Sequence, residues 1–246
     1  MSVDTPEELA GLRAAGGVVR KMLQAMKQAV RPGTTTAELD EIGASVMRQH
    51  EARSAPALVY QFPGVCCISI NDEAVHGIPG SRRVQNGDLV KLDVTVEKDG
   101  FMADAAITVP AGAVSETNQR LTACAQLAFE KALQIARTGV LVSEIGRTVE
   151  REVLRWGFSV IRALGGHGIG RTIHEQPSIP NYFDPGAREI LTDGLVITIE
   201  PIIAAGSGMA LLAGDGWTVK TADHTNSAHF EHTLMITKNM PVLLTA

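Results

Sequence analysis

Leu89-Val90-Lys91-Leu92-Asp93-Val94-Thr95-Val96, then Glu97-Lys98-Asp99-Gly100, then Phe101-Met102-Ala103-Asp104-Ala105-Ala106-Ile107-Thr108-Val109: the reading of this stretch decides the fold. Two alternating, β-branched runs flank a polar Asp-Gly, which predicts a β-hairpin. Leu89, Lys91, Asp93 and Thr95 share one face of the first strand. Val90, Leu92, Val94 and Val96 share the other, which is wholly apolar and must be covered by another layer. Asp93 and Asp104 lie directly opposite if Lys98-Asp99 form the turn, and on a diagonal if Asp99-Gly100 do. Either register puts both carboxylates on one face of adjacent strands unless a bulge intervenes. Two like charges so close repel, more so when buried, and a bound cation is the simplest compensation. The hairpin alone leaves a second reading open, two solvated acids on an exposed face.

Upstream, Thr5-Pro6-Glu7-Glu8 predicts a helix start with a capping box closed by Glu8. Leu9, Leu12, Val19, Met22, Met26 and Val30 then recur at helical spacing until Arg31-Pro32-Gly33. A second helix begins near Thr35 or Thr36 and carries Leu39, Ile42 and Val46. Strands are predicted near Ala57–Phe62 and Cys66–Ile70, and a loop at His76-Gly77-Ile78-Pro79. Downstream the order repeats. Helices are expected from about Glu116 to Arg137 and from Ser143 to before Gly157. A glycine-rich loop, Gly165-Gly166-His167-Gly168-Ile169-Gly170, precedes a strand Gly194–Pro201 and a closing strand Phe230–Ile236.

The repeat extends to residues. Lys21-Met22-Leu23-Gln24 is echoed by Lys131-Ala132-Leu133-Gln134, Glu41-Ile42-Gly43 by Glu144-Ile145-Gly146, and Asn86-Gly87-Asp88-Leu89-Val90 by Thr192-Asp193-Gly194-Leu195-Val196. Three matches in one order predict a single domain over 1–246 with an internal duplication, halves 1–112 and 113–246. The expected class is α/β (α+β): two αα-ββ halves related by a pseudo-two-fold, with one continuous sheet under four helices. In that frame Glu200 is the counterpart of Asp93, and the Glu231 strand of the Asp104 strand.

Composition excludes several function classes. With 45% hydrophobic and 20% charged residues, the chain reads as a soluble globular protein whose core is aliphatic, since aromatics are only 4%. A formal charge of −5 without a basic run argues against a nucleic-acid surface. Cys66, Cys67 and Cys124 form neither a disulfide framework nor a Cys-x-x-Cys pair, so reducing cytosol is expected. The start lacks a basic segment followed by an apolar one, so no signal peptide is predicted. No apolar run of about 18 residues is available to span a bilayer.

Asp93, Asp104, Glu200 and Glu231, with His167, make an oxygen-rich set with one nitrogen. Four carboxylates at one site call for about two divalent cations. Oxygen and imidazole donors without thiolate suit Mn²⁺, Fe²⁺, Co²⁺ or Zn²⁺ and argue against a closed structural zinc. Two metals sharing a bridging water would lower its pKa and supply a hydroxide nucleophile near neutral pH.

Val75-His76-Gly77-Ile78-Pro79, Lys91-Leu92-Asp93-Val94 with Asp104, Gly166-His167-Gly168-Ile169-Gly170, Thr198-Ile199-Glu200-Pro201 and Phe230-Glu231-His232-Thr233 resemble the type I methionine aminopeptidases over nearly the whole chain. That family's pita-bread fold agrees with the duplication. The resemblance implies removal of an initiator methionine before a small second residue, by attack of a metal-bridging hydroxide on the methionyl carbonyl. It implies Asp93, Asp104, His167, Glu200 and Glu231 as metal ligands, with Glu200 also the general base. It implies His174 at the scissile carbonyl and His76 near the substrate amine and leaving nitrogen. Phe62, Cys67 and Trp217 match the methionine pocket, as does the position of Val59. Val59 and Ile173 stand where bacterial members commonly show an aromatic, Pro56 where a cysteine is frequent, and His229 where glutamine is common. No zinc-finger extension is seen, so the short, monomeric form is expected, in the cytoplasm, with nascent-chain N-termini as substrates and a transient ribosome association, and with no membrane or nucleic-acid partner.

Other readings stay in view. His50, His224 and His232 read as surface or core histidines, Cys66 as a core residue, and Trp217 by itself as a turn aromatic. A related pita-bread peptidase cleaving before proline, or a metal-free binding module of the same fold, are the competing functions. The first usually carries a large extra N-terminal domain, and the second would be expected to have lost ligands.

Overall fold

The hairpin turns at Asp99-Gly100, both with positive φ (51° and 82°), and Lys98 pairs with Phe101. Asp93 therefore pairs with Ala106 and Asp104 with Thr95, so the two acids lie on a diagonal of one face. The computed structural model describes residues 1–246 and places this hairpin inside a nine-stranded sheet. Its strands run in the order Arg53–Ser54, Leu89–Lys98, Phe101–Pro110, Glu231–Met235, Val196–Ile199, Gly165–Gly168 and Glu175–Pro180. Cys67–Ile70 also pairs with Leu89–Lys98, and Val242–Leu243 with Glu231–Met235; every pairing is antiparallel.

Two pairs of helices cover the sheet. α1 (Pro6–Ala29) and α2 (Thr36–Gln49) bury Leu39, Met22 and Met26 against Val90, Leu92, Val94 and Val96. Thr5 caps α1 by accepting from Glu8 N, but the Glu8 carboxylate takes the N–H of Asp4 rather than that of Thr5, so the box closes one residue early. Thr35 and Glu38 form a complete box on α2. Where a strand is predicted near Ala57–Phe62, the chain instead forms a helix, α3 (Ala55–Tyr60). Ser54 accepts from Ala57 N and Pro56 sits in the first turn, a start signal that overrides the apolar run Ala57-Leu58-Val59-Tyr60. In the second half α4 (Glu116–Ile135) and α5 (Val142–Arg155) bury Leu121, Phe129, Ile145 and Val149 against Ile197, Ile199 and Leu234.

The echoed glycines have a shared reason. A Cβ on Gly146 would come 2.1 Å from the backbone oxygen of Tyr182, too close for a side chain, and one on Gly43 2.9 Å from Met26 Sδ, where a methionine would have to move. The glycine-rich run is likewise not a loop. Gly165–Gly168 is a strand between two others, and a Cβ on Gly168 would lie 2.2 Å from Gln176 O. Two small three-stranded sheets complete the fold. One joins Ser227–His229, Ile202–Ala204 and Ser159–Val160; the other joins Ala210–Leu212, Val219–Thr221 and Glu73–Val75. No helix is long and apolar enough to cross a membrane.

Candidate metal centre and substrate cavity

Ala106 pairs with Asp93 on one side and with Glu231 on the other, so these two acids flank the Phe101–Pro110 strand. Asp104 stands two residues earlier on the same face. His232 pairs with Ile199, and the same register carried one residue on sets Glu200 beside Glu231. His167, from the next strand, brings Nε2 to 3.5 Å from Glu200 Oε1. The structure thus brings together all five residues expected to hold metal.

Threonines fix their orientation. Thr95 Oγ1 donates to Asp104 Oδ2 at 2.8 Å, and Thr198 Oγ1 donates to Glu200 Oε1 at 3.0 Å while accepting from His167 N. Thr233 Oγ1 donates to Asp104 O and accepts from Asp104 N.

No lysine or arginine pairs with these acids; the ion-pair neighbours of Glu200 and Glu231 are His167 and His229. Burial, with the charge of Asp104 next, pushes Asp93, Glu200 and Glu231 well above the carboxylate range. Burial pushes Asp104 up to about 6 against the pull of the Thr95 hydroxyl. Asp104 Oδ1, Glu231 Oε1 and both ring nitrogens of His229 are buried without a hydrogen-bond partner. Orphaned oxygens and nitrogens converging in a buried acidic cluster fit divalent cations. One ligand atom each from Asp104, His167 and Glu231 lie within 4.8 Å of one another, and so do those of Glu200, His229 and Glu231. Asp93 is in neither group; its carboxyl answers to Asp104 instead.

The cluster forms the floor of a cavity of about 390 Å³. Phe62, Cys67, Ile173, Ile202 and Trp217 give it an apolar wall, and His76 and His174 line it too. Phe62 and Trp217 meet edge to face at 5.2 Å between centroids, and Cys67 pairs directly with Asp93 across the sheet. His76 holds a left-handed φ of 59°, a conformation that costs a residue with a Cβ about 1–3 kcal/mol. The His174 and His167 rings are 4.3 Å apart, and Tyr60 reaches Nδ1 of His174. Burial lowers the pKa of His76, with His174 adding to it, and that of His174, with His167 adding to it.

Val59 is not brought to the cavity. It is 41% exposed on α3, and the helix turns Pro56 and Tyr60 inward instead. The aromatic looked for at Val59 is supplied one position later by Tyr60. Sequence reasoning also passed over His229 as a site residue; its signal was an imidazole two residues before Glu231.

A sequence profile of metallopeptidase family M24 matches residues 10–238. The chain is 44% identical over 247 aligned positions to methionine aminopeptidase 2 of Bacillus subtilis, covering 100% of this chain and 99% of that protein. The crystal structure of methionine aminopeptidase from Rickettsia prowazekii superposes with a TM-score of 0.95 at 36% identity, covering 100% of both chains. That from Thermotoga maritima gives 0.96 at 33%, covering 100% of this chain and 99% of that one. The fold is therefore the pita-bread architecture of these enzymes. With a profile match over most of its length and relatives aligned end to end, this chain belongs to metallopeptidase family M24.

Proposed function

We propose that this protein is a methionyl aminopeptidase, a metal-dependent hydrolase that removes an N-terminal methionine when the second residue is small. The observation that carries the reading is one cavity in which the apolar wall of Phe62, Cys67 and Trp217 meets the acid–imidazole floor. A thioether gains from such burial and from contact with aromatic edges. The proposed metal ligands are Asp93, Asp104, His167, Glu200 and Glu231, with Co, Mn, Fe or Zn as the divalent ions. When bound, two such ions supply Lewis acidity toward the methionyl carbonyl and lower the pKa of a water.

Glu200 accepts the proton of the attacking water and passes it to the departing nitrogen. A Tyr60 hydroxyl that donates to Nδ1 of His174 leaves the proton of that ring on Nε2, free to hydrogen-bond the scissile carbonyl. His76, kept neutral by burial, is placed to handle the leaving amine. Phe62, Cys67 and Trp217 hold the methionine side chain, and a bulky second residue is expected to clash beside the acids. Within the same proposal, 1–246 is one catalytic domain with halves 1–112 and 113–246. It works in the cytoplasm as a monomer on nascent-chain N-termini, with a transient ribosome contact.

Metal content measured alongside cleavage of Met-Ala-Ser, Ala-Ala-Ser and Met-Lys-Ser tests the reading. Metal-dependent cleavage of the first peptide alone is expected. Equal cleavage of all three, or undiminished cleavage under chelation, would refute it.

A further inference from the structure

We propose that His229 is a sixth metal ligand, one that joins Glu200 and Glu231 around one of the two ions. The inference rests on the two-metal reading above and adds a donor that the family resemblance does not supply, since glutamine is common at this position.

Three observations carry it. His229 is 2% exposed, and neither ring nitrogen has a hydrogen-bond partner. An imidazole so buried and unpartnered is costly unless something fills the gap. Its Nε2 stands 3.6 Å from Glu200 Oε2 and 3.5 Å from Glu231 Oε2. These separations are long for hydrogen bonds. They are close to the roughly 3.0–3.5 Å that separates two donors bound to one ion at about 2.1 Å. The two oxygens of Glu200 are also divided: Oε1 faces His167 and Thr198, and Oε2 faces His229.

The backbone holds the ring there. Thr108 Oγ1 donates to His229 O at 2.8 Å and accepts from His229 N at 2.8 Å, so one hydroxyl clamps both main-chain groups. His229 also pairs with Ile202 across the small sheet. The ring does not line the substrate cavity. It can therefore ligate without occupying space a peptide needs. Glu231 is common to both groups of converging donors, and Glu200 lies between the two imidazoles, 3.5 Å from His167 Nε2 and 3.6 Å from His229 Nε2. The pair of ions then has two imidazoles in place of one. Imidazole favours Co²⁺, Fe²⁺ and Zn²⁺ over Mn²⁺ and Mg²⁺, so the site that His229 joins is biased toward the former.

X-ray absorption on wild-type protein loaded with two equivalents of Zn²⁺ counts imidazoles per metal directly. The expected value is about one, against about one half if His167 is the single histidine ligand. A value near one half overturns the proposal without recourse to any variant. In H229Q, checked for native near-UV circular dichroism, the count should fall to about one half. Calorimetric titration should show Co²⁺ affinity at the weaker site dropping by about 10–100-fold, with a smaller loss for Mn²⁺. A folded H229Q with unchanged imidazole count and unchanged affinities also overturns it. A wild-type protein that binds no divalent ion at all would refute the metallopeptidase reading as well, which separates the two failures.

Discussion

The hydroxyl of Tyr60 lies 2.5 Å from Nδ1 of His174, 114 residues further along the chain. Their rings are 5.7 Å apart, and His174 in turn lies against His167. A short helix thus orients the imidazole proposed to meet the scissile carbonyl. His174→Ala is expected to lower kcat by about 10²–10⁴-fold while metal content holds. Tyr60→Phe, which removes the hydroxyl alone, should lower kcat by about tenfold with little change in KM. Because both act through one ring, the double variant should be no slower than His174→Ala. Metal analysis and steady-state kinetics on the three variants decide this; metal lost from His174→Ala would contradict the assigned role.

Asp104→Asn should abolish most metal binding and activity yet fold. Its metal-free stability carries a second prediction. Asp104 has a folded-state pKa of about 6 against an ordinary 3.8, and its acidic neighbours lie well above their ordinary values. For a carboxyl raised in this way the folded state binds protons more tightly than the unfolded one. Stability is therefore lost as pH rises from the ordinary carboxylate range through the folded pKa, from about 4 to 6 for Asp104 and further for the others. Chelated wild-type protein should show a falling Tm across this interval, metal-loaded protein should not, and chelated Asp104→Asn should lose less than chelated wild type. Calorimetric scans from pH 4 to 8 measure all three.

Lys91 carries the opposite sign. It is fully buried, and its ammonium donates to Asn71 O, Ser227 O and Ser227 Oγ. Burial lowers its pKa from 10.5 to about 7. Below pH 7 both folded and unfolded chains carry the proton and the burial penalty is complete. Between about 7 and 10.5 only the unfolded chain binds it, so stability contributed by this residue rises with pH. Wild type should gain on Lys91→Met by an amount on the order of a few kcal/mol over that interval. Denaturant titrations of both proteins at pH 6.5, 8 and 9.5 test this; a constant difference would show that Lys91 keeps its ordinary pKa.

Selectivity should follow Ile173 and ignore Val59. Ile173 is 4% exposed, lines the cavity and packs in a cluster with Met102 and Ile169. Ile173→Phe adds volume to a filled site, costs about 1–3 kcal/mol of stability and narrows the pocket. Norleucine-Ala-Ser and Leu-Ala-Ser should be cleaved by wild type more slowly than Met-Ala-Ser, because one methylene discriminates by only about 1–3 kcal/mol. The ratio of kcat/KM for Met over Leu should rise in Ile173→Phe and stay unchanged in Val59→Phe. A shift in the Val59 variant would place that side chain at the substrate after all.

The hairpin was legible because strand parity is local: Asp93 and Asp104 share a face whatever the turn. The repeated Glu-Ile-Gly was legible too, and the structure supplies its cause in the contacts Gly43 and Gly146 make. Ala57–Phe62 was misread because three consecutive apolar residues, Leu58, Val59 and Tyr60, carry no period, while the information sat upstream in Ser54 and Pro56. That error displaced the pocket aromatic by one residue. Gly165–Gly168 was read as a loop because glycine signals turns, whereas here it lets strands crowd together. His229 was opaque for a different reason. Its importance lies in what surrounds the ring, and two unpartnered nitrogens become visible only in three dimensions.

In the main sheet the two halves meet along a seam of two residue pairs, Glu231 with Ala106 and His232 with Ala105. Asp93 and Asp104 belong to one side of that seam; His167, Glu200, His229 and Glu231 belong to the other. Ions that draw donors from both sides would bolt the seam shut, and whatever pries the halves apart must unseat those ions before it melts a helix. Catalytic competence is then exposed to any mechanical or chemical stress on this seam, which is backed by the pairing of Glu73–Val75 with Val219–Thr221 and by two apolar clusters that mix residues from both sides.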